Sequence, residues 1–109
     1  MRPITNYKSS NFVIVYYTEK ETYHVFSGEY GGYLYGDSWR LSTAIKSVSI
    51  DNDQVIVHTR SVSSYELDRN CIRMTGYMGS IYSGYENDMA IVVNDSESFD
   101  KWLELWKNN

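Results

Sequence analysis

The sequence predicts a mostly β, α+β domain: an antiparallel sheet of six or seven short strands with one C-terminal α-helix. Short segments rich in β-branched and aromatic residues recur between residues 11 and 93, and polar or glycine-containing turns separate them. Only the last segment has helical periodicity. We expect the sheet to form a half-open barrel or roll. At 109 residues the chain has the length of one domain, strand-rich over 11–93, with its helix over about 95–107.

The first strands are predicted to form a hairpin. Asn11 to Thr18 contains the run Phe-Val-Ile-Val-Tyr-Tyr, which is typical of a strand. The polar Glu19-Lys20-Glu21 forms the turn, and Thr22 to Phe26 returns with alternating residues. Glycines are then interleaved with tyrosines over Ser27 to Gly36, a composition that favours a loop or a bulged edge over a central strand.

The segment from Trp39 to Ile50 changes its apolar phase. Trp39 and Leu41 stand at odd positions, whereas the apolar residues that follow stand at even positions: Ala44, Val48 and Ile50. Since a change of phase reverses the face that a strand buries, we expect a bend or a bulge near Ser42-Thr43.

The rest of the β-rich part follows the same pattern. Asp51-Asn52-Asp53 and Asp68-Arg69-Asn70 are turn signals. The strands predicted around them are Gln54 to Arg60, a short one through Tyr65 and Leu67, Cys71 to Thr75, and Met89 to Val93. Gly76 to Asp88 repeats the glycine and tyrosine composition of the earlier loop, and we expect a second loop of that kind there.

The C-terminal helix is predicted from its side-chain spacing. Its core-facing stripe follows the i, i+3, i+4, i+7 pattern and consists of Phe99, Trp102, Leu103 and Trp106. Asn94 with Glu97 resembles a capping box, so the helix is expected to begin just after Asn94. Leu105 lies off the stripe and is the better candidate for an exposed contact.

Composition limits the classes of function. The formal net charge of −4 argues against duplex binding, which needs a basic surface, and is too small for a mimic of DNA. Six carboxylates against Lys101 make residues 84–104 an acidic end. The only cysteine, Cys71, fits a reducing compartment and is expected to be a buried, inert thiol. No apolar leader or span of ~20 apolar residues is present, so a cytoplasmic location without membrane contact is predicted (the host cytoplasm if the protein is viral).

The eleven tyrosines are the main clue to function. Some fit half-buried strand faces, with the ring packed and the hydroxyl in water. The others are spaced by glycines, in the Tyr/Ser/Gly/Asn composition typical of binding loops, where each ring offers a large contact area at small entropic cost. We therefore predict a protein-binding surface on six of them: Tyr30, Tyr33, Tyr35, Tyr77, Tyr82 and Tyr85.

Two other classes of function stay open. A single-stranded nucleic-acid binder would stack bases on Tyr65 and Trp39 and hold phosphates with Arg40, Arg60 and Arg73, although the acidic balance disfavours it. A small hydrolase would need converging titratable groups, and no spacing indicates them. His24 and His58 lie in predicted strands without metal-ligand spacing, so we predict no metal, no cofactor and no catalytic residue.

In size and in its Tyr/Asn/Ser-rich composition the chain resembles the small accessory proteins of bacteriophages, and it has the look of a complete small gene product. The resemblance covers no defined motif. It implies a non-enzymatic inhibitor that binds a host or viral protein and blocks a host enzyme or defence complex by occlusion. A homodimer formed through an edge strand is a further possibility.

Overall fold

The computed structural model describes residues 5–8, 11–29, 38–52, 54–61 and 63–107. Within these ranges the chain forms eight strands, a 3₁₀-helix and two α-helices. The strands are β1 (Thr5–Lys8), β2 (Asn11–Tyr17), β3 (Thr22–Glu29), β4 (Ser38–Leu41), β5 (Ile45–Asp51), β6 (Gln54–Thr59), β7 (Ser63–Leu67) and β8 (Met89–Val93). The 3₁₀-helix spans Arg69–Cys71, and the α-helices are α1 (Gly76–Ser83) and α2 (Ser96–Lys107).

The strands form two four-stranded sheets. Sheet I has the order β1-β7-β6-β5 and sheet II the order β4-β3-β2-β8. Every pairing is antiparallel except that of β1 with β7, which is parallel. The mostly β, α+β prediction is thus confirmed, while β1 and helix α1 were not predicted.

The main core is formed by both sheets together with helix α2. Sheet II contributes Phe12, Ile14, Val25 and Val93, sheet I contributes Ile45, Val55, Val57, Tyr65 and Leu67, and α2 contributes Phe99, Trp102 and Leu103. Trp106 packs against this core and completes the predicted stripe. Cys71 packs against the same core but is half-buried, less than the full burial predicted.

Strand β2 is buried on both faces. Its even positions enter the main core, while Val13 and Val15 enter a second core with Phe26, Met78 and Met89. Helix α1 supplies Met78 and covers this second face of sheet II. The double burial explains why the sequence from Phe12 to Val15 is uninterrupted by polar residues.

The predicted bend near Ser42-Thr43 is the point where the chain leaves sheet II for sheet I. Strand β4 ends at Leu41 and β5 begins at Ile45. The buried Ser42 accepts a hydrogen bond from the Val25 amide (2.9 Å), and its own amide donates to the Val25 carbonyl (2.9 Å). Strand β5 itself has a register shift between Ile45 and Ser47, so that Ile45 and Val48 both pack on the main core.

Two local predictions were wrong. Gly76 to Asp88 is not a loop throughout, because helix α1 occupies Gly76–Ser83. The Thr75 hydroxyl caps this helix by accepting from the Met78 amide (3.1 Å), and burial of Met78 outweighs the low helix propensity of glycine. Cys71 to Thr75 is not a strand: it begins in the 3₁₀-helix, and Ile72 makes only an isolated bridge to Phe12.

The cap of helix α2 also differs from the prediction. The helix begins at Ser96, and the Asp95 carboxylate accepts the Ser98 amide (2.8 Å), so Asp95 and not Asn94 is the capping residue. The Ser98 hydroxyl lies 3.1 Å from the Asp95 amide and 3.0 Å from the Asn94 amide and accepts from both, which completes the box in place of Glu97. Hydrogen bonds from Ser98 hold the pKa of Asp95 below its usual value.

An ion pair fastens helix α2 to the 3₁₀-helix. Both terminal nitrogens of Arg69 donate to the Asp100 carboxylate, at 2.7 and 3.3 Å, and this pairing lowers the pKa of Asp100. A carboxylate whose pKa is lower in the folded protein stabilises it above its unfolded pKa of about 4, and the stabilisation is lost as the pH falls through the folded value.

We therefore expect Asp100→Asn to lower the melting temperature at neutral pH, and the difference from wild type to shrink as the pH falls below about 4. Thermal melts of both proteins across pH would measure this. The exposed Glu97, paired with Lys101 at 3.4 Å, offers the control Glu97→Gln, with a smaller effect expected. If the difference in melting temperature between wild type and Asp100→Asn stayed constant down to the lowest pH, the ionised Asp100 carboxylate would not be the source of the stabilisation.

Candidate functional site

The structure describes three of the six tyrosines predicted to bind a partner. Tyr30, Tyr33 and Tyr35 lie outside the described residues, on the connection between β3 and β4. Tyr77 is on the first turn of α1, with 37% of its surface exposed, and Tyr85 follows the helix and is 46% exposed. Both rings are available to a partner.

Tyr82 has a structural role in the fold. Its ring is half-buried against the second core, and its hydroxyl donates to the Met89 carbonyl (2.9 Å). The Met89 amide donates to the Tyr85 carbonyl (3.0 Å), so Tyr82 at the end of α1 and Tyr85 just after it satisfy both backbone polar groups of the first residue of β8. Replacing Tyr82 would therefore perturb stability as well as any contact that it makes.

The short edge strand β4 exposes two large apolar side chains on one face. Trp39 and Leu41 are each 38% exposed, although their alternation in the sequence is that of a buried face. Leu41 is the register partner of Phe26 and Trp39 that of Gly28, so both lie on the face of sheet II that carries α1. The Trp39 ring packs edge-on against Phe26, with centroids 6.0 Å apart.

Gly28 brings helix α1 close to this edge. A Cβ atom at Gly28 would stand 2.6 Å from Cγ of Met78, closer than any real contact, so only glycine admits the Met78 side chain there. Met78 and Trp39 therefore both lie against Gly28, and Tyr77 adjoins Met78 along the helix. We call Trp39, Leu41 and Tyr77 the aromatic surface. Two of its residues lie on β4, the strand that follows residues 30–37 in the chain.

Arg40 points to the opposite face of β4 and links the two sheets. Its Cζ lies 3.9 Å from the centroid of the Tyr7 ring, and Tyr7 stacks on Tyr65 with centroids 5.1 Å apart. Burial raises the pKa of Tyr65, and the positive charge of Arg40 partly offsets the rise. Since Tyr65 is only 3% exposed, it cannot stack on a base, which weakens the nucleic-acid alternative.

The acidic segment 84–104 divides into two parts in the structure. Its carboxylates on helix α2 have basic neighbours: Glu97 pairs with Lys101, Asp100 with Arg69, and Glu104 with Lys107. The part before β8 meets the β2–β3 turn, where the Thr18 amide donates to the Asp88 carbonyl (3.1 Å). Glu19 and Asp88, one from each segment, therefore lie at that end of sheet II, and the charge of each raises the pKa of Tyr17.

The histidines are hydrogen-bonded parts of the sheets. His24 lies 2.8 Å from the Thr22 hydroxyl and 2.9 Å from the Ser42 carbonyl, and so helps to hold the bend between the sheets. His58 lies 2.9 Å from the Ser49 hydroxyl on the outer face of sheet I. No group of three His, Cys, Asp or Glu side chains in the described ranges is placed to hold a metal ion.

Comparison with known proteins finds no similar one: no protein-family model, no curated protein and no solved structure matches this chain. In the part of the chain that the structure describes, neither helix is long and apolar enough to cross a membrane. The functional argument therefore depends on the geometry of the chain itself.

Proposed function

We propose that the protein is a non-enzymatic protein-binding module that docks through the aromatic surface. The observation that supports this most is the exposure of Trp39, Leu41 and Tyr77 on two elements that pack against each other. Tryptophan and tyrosine are enriched among the residues that dominate binding energy, because a rigid ring buries much area at little entropic cost. In a folded protein such side chains would otherwise be expected to contribute to the core.

The specific activity that we propose is inhibition by occlusion of a host enzyme or defence complex. A standard interface covers about 800 Å² per partner. The described molecule has 7077 Å² of accessible surface, so such an interface takes about a ninth of it. Negative charge at the end of sheet II that carries Glu19 and Asp88 would steer a basic partner surface toward the module and raise the association rate.

The proposal is tested by capture of a partner from host-cell extract, followed by binding measurements with the purified partner. Trp39→Ala combined with Tyr77→Ala is expected to weaken binding by at least about 2 kcal/mol, or about thirtyfold in Kd. The matched control is Leu105→Ala on helix α2, since Leu105 is as apolar and is 52% exposed. This control is expected to bind like wild type.

Three results would contradict the proposal. One is a Trp39/Tyr77 double variant that binds the partner as tightly as wild type does. Another is a Leu105→Ala variant whose binding is weakened as much as that of the double variant. The third is capture of single-stranded nucleic acid with an affinity that falls steeply with salt, which would favour the nucleic-acid alternative. A circular dichroism melt of each variant separates loss of binding from loss of fold.

A further inference from the structure

Strand β5 is the longest edge strand in the described part of the chain. It has seven residues and pairs only with β6, whereas the other edge strands, β1, β4 and β8, have four, four and five residues. The edge of β8 is partly closed at Met89 by Tyr82 and Tyr85. Within the described ranges, residues 46–51 make no backbone hydrogen bond to any element other than β6.

The register shows which backbone groups face outward. Asp51 and Gln54 are partners across a two-residue connection, and the residues that flank such a connection are hydrogen-bonded to each other. Hydrogen-bonded and non-hydrogen-bonded pairs alternate along antiparallel strands, so Ser49 also bonds its partner on β6. Val48 and Ile50 therefore direct their N–H and C=O groups away from β6. These four groups form an open hydrogen-bonding edge.

We propose that this edge pairs with β5 of a second copy of the chain, antiparallel and about a twofold axis at Ser49. Val48 then lies opposite the second copy's Ile50, and the two equivalent pairs satisfy the outward groups of both copies. The exposed Ile50 side chain gains an apolar neighbour. The two copies of sheet I then form one eight-stranded sheet.

The charges favour the register centred on Ser49 over the one centred on Val48. Centred on Ser49, the pairing places Lys46 beside the second copy's Asp51 and Asn52, and no like charges lie directly opposite each other. Centred on Val48, it would place Lys46 opposite Ile50 and Ile45 opposite Asp51, each a charge against an apolar side chain. Lys46 and the bulge after Ile45 also block pairing beyond the start of the strand, so the contact is limited to the part of β5 after the bulge.

Sedimentation velocity of the full chain across a range of concentrations tests the proposal. Wild type is expected to pass from 12.7 kDa to twice that mass as the concentration rises. Ile50→Pro removes an outward N–H without breaking a bond to β6, and is expected to stay monomeric. The matched control Ile50→Val keeps the N–H and the β-branched side chain, and is expected to dimerise.

Hydrogen exchange gives a second readout that does not depend on a variant folding. The amides of Val48 and Ile50 in wild type are expected to become protected as the concentration rises. If Ile50→Pro fails to fold, Ser49→Lys, which places like charges opposite each other at the axis, is expected to abolish the dimer.

The proposal is overturned by a wild-type mass of 12.7 kDa at every concentration, by a dimer that survives both variants, or by a dimer in which those two amides exchange as in the monomer. It is independent of the proposed binding function, because β5 contributes no residue to the aromatic surface.

Discussion

Replacing Phe99 with alanine is expected to lower the free energy of unfolding by about 3–5 kcal/mol. The ring is 1% exposed, meets Phe12 edge-on with centroids 6.0 Å apart and stacks on Trp102 at 6.4 Å. Its removal leaves a cavity at the junction of helix α2 with the main core. Such a loss is a large part of the 5–15 kcal/mol that stabilises a domain of this size.

Denaturant unfolding measures this loss directly. The matched control on the same helix is Leu105→Ala, whose exposed side chain lies off the packed stripe, and its effect is expected within about 0.5 kcal/mol of zero. If the Phe99 variant loses no more than the Leu105 variant, helix α2 does not contribute to the core as described.

Met78→Ala is expected to cost about 2–5 kcal/mol and to loosen helix α1 from sheet II. Met78 is the only fully buried residue of α1, and its sulfur accepts the Thr75 amide at 3.4 Å, opposite the bond from the Met78 amide to the Thr75 hydroxyl. The substitution therefore removes the centre of the second core and one half of the helix cap. Tyr77 is carried on the helix that this substitution loosens from β3 and β4.

Ser80→Ala on the exposed face of α1 is the control, with stability unchanged or slightly raised because alanine is the better helix former. Urea titrations of the two variants measure the loss of stability, and hydrogen exchange over Gly76–Ser83 measures the loosening of helix α1 separately. If the Met78 variant kept wild-type stability and a protected helix, burial of the Met78 side chain would not be what holds α1 on sheet II.

Most of sheet II and sheet I could be predicted because their strands are read from local patterns. The apolar run of β2, the turns at residues 19–21 and 51–53, and the change of phase near Ser42-Thr43 all depend on near neighbours in the chain. Strand β1 was missed because its pairing is parallel and joins residues as far apart as Tyr7 and Tyr65. No local pattern marks such a pair.

Helix α1 shows where local reasoning failed and which signal remained. Glycines at 76 and 79 and the tyrosines around them favour a loop, and tertiary burial of Met78 overrides that preference. The signal was present in the spacing of Met74, Met78, Ile81 and Tyr82 at i, i+4, i+7, i+8, with the capping residue Thr75 directly before the first helical residue.

The candidate surface was predicted only in part. Tyr77 and Tyr85 are exposed as binding residues must be, whereas Tyr82 is tied into the second core. The sequence correctly predicts that Trp39 and Leu41 lie on one face of a strand. Alternation alone, however, does not distinguish a strand face that is buried in a core from one that is partly exposed at a sheet edge.

Hydrogen exchange on the protein bound to its captured partner tests the central claim most directly. The account predicts that amide protection on binding concentrates on β4 (Ser38–Leu41) and the first turns of α1, next to the aromatic surface. Protection confined to helix α2 or to the outer face of sheet I, with β4 and α1 unchanged, would contradict it.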